Sequence, residues 1–122
     1  MQGGKQPNPD HPITVEPALE RVTVRIDDII LAESTDALIL REASLPPVIY
    51  IPRNDVAMQE LRASETLTHC PFKGDASYFS ARHGGTKDIA WSYEDPFDPM
   101  LIIKDHLAFY PDRVDSIEST PC

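Results

Sequence analysis

The chain has 122 residues, 41% hydrophobic and 25% charged, with a formal net charge of −9. That length is one domain, and the apolar content supplies a core of its own, which excludes a disordered chain. No apolar run approaches the ~20 residues of a membrane helix, and an acidic surface repels phosphate backbones and anionic lipid, so no nucleic acid or membrane partner is expected.

Residues 1–12 are polar, lack the apolar stretch of an export signal, and read as a flexible tail. The two cysteines, Cys70 and Cys122, are too few for a disulfide framework, and a cytoplasmic location is expected. Twelve prolines leave room for short strands but not for long helices.

In residues 21–26, Val22, Val24 and Ile26 alternate with Arg21, Thr23 and Arg25, the pattern of a half-buried strand. Asp27-Asp28 then reads as a two-residue turn into a strand over residues 29–32. Further strands are predicted over residues 37–40 and 47–51, the latter with prolines at its ends. Asn54 suits a helix cap and Asp55 a first turn, and Met58 and Leu61 lie on one helical face, so one short helix is predicted there. Residues 76–82 read as strand, Gly84-Gly85 as turn, residues 87–93 as the next strand, and residues 95–99 as loop. Residues 101–104 fit a strand or a helical turn. Residues 107–110 read as the closing strand, and residues 117–122 as a flexible tail, leaving one β domain over residues 13–116. Short strands separated by turn signals predict a mainly β fold of compact antiparallel sheets.

Several motifs follow one another along the chain. They are Arg21-Val22-Thr23-Val24 through Ala32-Glu33-Ser34, Pro47-Val48-Ile49-Tyr50-Ile51-Pro52-Arg53-Asn54-Asp55-Val56, Thr68-His69-Cys70-Pro71-Phe72-Lys73-Gly74 with Ala76-Ser77-Tyr78-Phe79, Ala90-Trp91-Ser92-Tyr93, and Ala108-Phe109-Tyr110 with Arg113-Val114-Asp115. The series resembles the small bacterial family labelled domain of unknown function 427, over nearly all the chain between Ile13 and Asp115. The resemblance implies a β fold of the Mss4-like or β-tent kind and no established activity. Many relatives of that fold hold zinc through Cys-x-x-Cys pairs. Here Lys73 stands where the second cysteine would be, so neither a metal nor another cofactor is expected. A nucleotidyltransferase label is sometimes attached to the family, yet the sequence has no Gly-Ser followed by Asp-x-Asp and no glycine-rich phosphate loop.

The run from Thr68 to Gly74 concentrates the chemistry. Lys73 beside Cys70 could stabilise a thiolate, which makes Cys70 a candidate nucleophile or redox centre. His69 is the third candidate catalytic residue, although neighbours on an extended segment point to opposite faces. A partner base from elsewhere could be His83 or His106, by residue type alone. Lys73 and Arg53 could instead hold an anionic group, with Tyr50, Trp91 and Tyr93 as a wall for a ring. The reading that follows is a pocket for a small anionic or aromatic molecule; the alternatives are an enzyme built on Cys70 and an interaction module without a pocket. The plainer assignment of the same residues puts Tyr50, Trp91 and Cys70 in the core and pairs Arg53 with Asp55 and Lys73 with Asp75. Glu94, Asp95 and Asp98 read as a solvated acidic turn.

Overall fold

The computed structural model describes residues 12–121. Its strands are, in chain order, β1 (Ile13–Pro17), β2 (Glu20–Ile26), β3 (Ile29–Ser34), β4 (Leu38–Glu42), β5 (Val48–Tyr50), β6 (Leu61–Cys70), β7 (Gly74–Ala81), β8 (Ala90–Ser92), β9 (Leu107–Phe109) and β10 (Ser116–Pro121). They form three antiparallel sheets, ordered β1-β4-β5, β10-β2-β3 and β6-β7-β8-β9. Ile51, just past β5, bridges to Leu107 through two hydrogen bonds of 2.7 and 2.8 Å, which links the first sheet to the edge of the third.

The β2–β3 hairpin forms as the sequence predicts. Asp27 and Asp28 both take left-handed φ, 49° and 67°, the geometry that matches the twist of paired strands, and aspartate tolerates it better than most side chains. The C-terminal stretch read as a tail is instead β10, an edge strand running from Ser116↔Arg25 to Pro121↔Glu20. Its sequence is polar because an edge needs only one inward apolar residue, here Ile117 opposite Val24. The N-terminal tail falls mostly on residues 1–11, outside the described residues.

The short helix expected from Asn54 is two 3-10 turns, Arg53–Asp55 and Met58–Glu60, and neither is capped by a side chain. Asp55 accepts the Ser34 hydroxyl at 2.6 Å rather than serving a helix start. A 3-10 segment at Asp98–Ile103 resolves the ambiguity over residues 101–104. The strand predicted over residues 87–93 shortens to β8, because Asp88 takes a left-handed φ of 50° that no ladder accepts.

The sheet β6-β7-β8-β9 lies between two cores, and its registers decide which residue enters which. The cross-strand set Phe79, Ala90 and Phe109 faces Val22, Val24 and Leu31 of the β10-β2-β3 sheet. The alternate set Tyr78, Trp91 and Ala108 faces Leu40 and Tyr50 of the β1-β4-β5 sheet, with Tyr93, Met100 and Ile103 completing that second core.

Candidate functional site

Strand β4 alternates Leu38, Leu40 and Glu42 toward the second core. The registers Leu38↔Tyr50 and Ile13↔Glu42 keep these residues on one face. An acid therefore ends an apolar face. Lys73 meets it from the β6–β7 turn, its Nζ donating to Glu42 Oε1 at 2.5 Å, with side chains only 9% and 12% exposed. The turn itself depends on Gly74, at φ +122°, where an added Cβ would sit 3.3 Å from the Pro96 backbone. Beyond the pair, the Lys73 ammonium stands 6.0 Å from the centre of the Tyr93 ring.

Tyr50 is fully buried beside this pair, and its hydroxyl accepts the Trp91 indole N–H at 3.2 Å, with the two rings edge to face. Burial pushes the Tyr50 hydroxyl well above the ordinary tyrosine value, with Glu42 adding to the effect and the Trp91 hydrogen bond opposing it. Burial likewise raises Tyr93. Both phenols are neutral donors or acceptors at physiological pH, not bases.

Cys70 ends β6 half-buried and packs against this second core. Its neighbour His69 is exposed, with Nδ1 2.7 Å from Asp75 Oδ1 and its ring edge-on to Phe97. Of the other histidines considered as a base, His83 stands 3.9 Å from Glu60 and His106 contacts the Lys104 carbonyl at 3.0 Å. Among the described residues, no group of three or more His, Cys, Asp or Glu side chains could hold a metal ion.

Arg53 is on the other face of the sheet. Its guanidinium donates to Ser92 Oγ at 3.1 Å, to the Asp105 carbonyl at 3.1 Å and to Glu94 Oε2 at 3.0 Å, and lies over the Phe79 ring. Because Ser92 and Trp91 alternate along β8, Arg53 and Lys73 are separated by the sheet and do not converge. Neither cation takes the acid nearest to it in sequence. Asp55 goes to Ser34 and Asp75 to His69.

Of the predicted site residues, Trp91 lines an apolar cavity. Ile51, just past β5, bridges to Leu107 of β9, and a gap lies beside that contact toward Pro47. The gap is a partly open cavity of about 230 Å³, lined by Val48, Ile49, Ile51, Trp91, Phe109 and Pro111 with Val24 and Ile117. Its lining carries no ionisable side chain, and its one side-chain N–H, on Trp91, is already given to Tyr50. Such a space holds an apolar or aromatic group and offers no proton transfer. Outside it, Trp91 leans on Tyr110 at 4.5 Å, Tyr110 lies near-parallel to Tyr78, and the Arg113 guanidinium caps the Tyr110 ring at 4.4 Å. Burial first, then the contact with Tyr78, pushes the Tyr110 hydroxyl up to about 12.

The family model described as domain of unknown function (DUF427), which also carries the label NTP_transf_9, matches residues 14–120. The chain belongs to this family. The DUF427 match spans all three sheets and includes most of β10. No curated protein matches the chain.

Sequence reasoning missed Glu42, Tyr78, Tyr110 and the apolar cavity walls. The inward alternation Leu38-x-Leu40-x-Glu42 was a readable sign that an acid ends a buried face. Tyr78 and Tyr110 carried no such sign, since their meeting depends on the pairing of β7, β8 and β9.

Proposed function

We propose that this DUF427 domain binds a small apolar or aromatic molecule in the cavity between β5 and β9, with the Trp91 ring as its main contact. The observation that carries the reading is a formed, apolar hollow with an aromatic wall in a small domain. A void of roughly 150 Å³ lined by apolar side chains takes up benzene, so a volume near 230 Å³ suits a larger ring or a short branched chain. The ionic partners of Lys73 and Arg53 favour a neutral ligand over an anion. The alternative enzyme on Cys70 has less support, because Glu42 already holds the Lys73 ammonium that would activate the thiol.

The reading also takes the fold as β-tent and Mss4-like, and the location as cytoplasmic. Three antiparallel sheets support the first and an unpaired Cys70 thiol the second. The net charge of −9 supports a partner that is not nucleic acid. No helix among the described residues is long and apolar enough to cross a membrane.

Trp91 is the chain's single tryptophan, so its fluorescence reports the cavity directly. Titration with toluene and with cyclohexanol should shift and saturate that emission, and Ile117→Phe, which fills the space, should abolish the response. Unchanged emission with every apolar probe, or an equal response in Ile117→Phe, would refute the binding reading.

A further inference from the structure

A second, polar cavity of about 510 Å³ lies at the opposite edge of the same sheet. It exists because the β6–β7 ladder breaks between Ala63 and Leu67, where three residues of β6 stand opposite Tyr78 alone. The arch is held by Asp88 from its left-handed position. Asp88 Oδ2 accepts the Thr66 hydroxyl at 2.7 Å, the Thr66 N–H donates to Ser64 Oγ at 3.1 Å, the Ser64 hydroxyl donates to Thr66 Oγ1 at 3.2 Å, and the Asp88 N–H donates to buried Ser80 Oγ at 2.9 Å. The hydroxyls of Ser64 and Thr66 hold the Asp88 carboxyl below the usual carboxylate range, so it is ionised at neutral pH. Its other oxygen, Oδ1, is enclosed and has no hydrogen-bond partner, the sole such side-chain atom found among the described residues.

Two cations at this cavity, Arg62 and Lys87, are exposed. Among the described residues, Arg21, Arg25, Arg41, Arg53, Lys73 and Lys104 form ion pairs, and Arg82 and Arg113 donate to backbone carbonyls. Arg62 and Lys87 are the basic side chains left without a hydrogen bond or ion pair, and both line this one cavity. In a chain of net charge −9, acids to pair with them are abundant. Glu65 and Asp88 line the same wall, so bases and acids balance there. A simple anion would meet those two carboxylates, and a simple cation would meet Arg62 and Lys87. A molecule carrying both charges satisfies both sides and meets little long-range repulsion.

We propose that the bulge of β6 forms a binding site for a small zwitterion of the α-amino acid class, its carboxylate held by Arg62 and Lys87 and its ammonium by Glu65, with the enclosed Asp88 charge behind it. The site is independent of the Trp91 cavity. The test is an amide NMR titration of the full chain with a panel of α-amino acids, and separately with acetate and methylammonium. Saturable shifts at residues 64–66, Lys87 and Asp88 are expected with an amino acid and not with either half. Arg62→Ala with Lys87→Ala, two exposed side chains whose loss breaks no internal bond, should weaken binding at least about tenfold while leaving the rest of the spectrum unchanged. The proposal fails if no amino acid gives saturable shifts at about 10 mM, weaker than any useful affinity. It also fails if acetate alone does as well, or if the double variant binds as tightly as the parent.

Discussion

The two faces of the four-stranded sheet are built on different terms. Toward β2 and β3 the packing is mainly apolar, with Phe79, Leu107 and Phe109 against Val22, Val24 and Leu31, and the Arg53 guanidinium at its margin reaches Ser92 and Glu94. Toward β4 and β5 the packing encloses a lysine, a glutamate and two tyrosines whose hydroxyls must find company. Apolar packing alone would hold this sheet more cheaply, since burying an ion pair often gains nothing over hydrophobic residues of the same size. The second face carries that cost, and it fixes how the Lys73 turn and the Tyr50–Trp91 contact are oriented.

The sharpest way to break this contrast is Glu42→Ala. It leaves the Lys73 ammonium enclosed without its partner and should cost about 3–5 kcal/mol in urea unfolding. Replacing both Glu42 and Lys73 by Met should recover most of that loss. If the double variant is as unstable as the single one, the pair is not what makes the second face costly.

Leu107→Ala probes the apolar face, where Leu107 is fully buried. A loss of roughly 2–5 kcal/mol is expected, and no second substitution should restore it as the paired change restores Glu42→Ala. Tyr50→Phe removes the acceptor of the Trp91 N–H at nearly constant volume. Its cost should be near ~1 kcal/mol, accompanied by a change in Trp91 emission that a purely structural loss elsewhere would not produce.

A further effect is in alkaline pH. Tyr110 keeps its proton in the fold to about 12 against 10.0 for an ordinary tyrosine. Tyr50 and Tyr93 are shifted the same way. Above 10 the unfolded chain loses these protons first, so the folded state binds more protons and stability falls as pH rises through this window. The melting temperature should decline from about pH 10 upward, and Tyr110→Phe should make the decline shallower. An unchanged slope in that variant would remove Tyr110 from the explanation.

Parts of this architecture were legible because they rest on local rules. The alternation of Val22, Val24 and Ile26 and the tolerance of aspartate for left-handed backbone specify the β2–β3 hairpin without help from elsewhere. The edge strands β1, β6 and β10 were not legible. β6 and β10 are largely exposed, so neither carries the apolar rhythm by which a strand is recognised. The candidate site suffered most. Cys70, Lys73, Trp91 and Tyr93 did come to one side of the sheet, yet the cavity is walled by β5 and β9 residues that no motif marks as a group.

The sequence alone determined a β domain, its central hairpin, its membership of a known family and the segments where chemistry is concentrated, because turn preference and side-chain alternation act over a few residues. Only the tertiary structure decided who pairs with whom. Lys73 passes over Asp75 for Glu42, and Arg53 passes over Asp55 for Glu94. A strand sends neighbouring side chains to opposite faces, and the sheet then brings together residues that the chain keeps far apart.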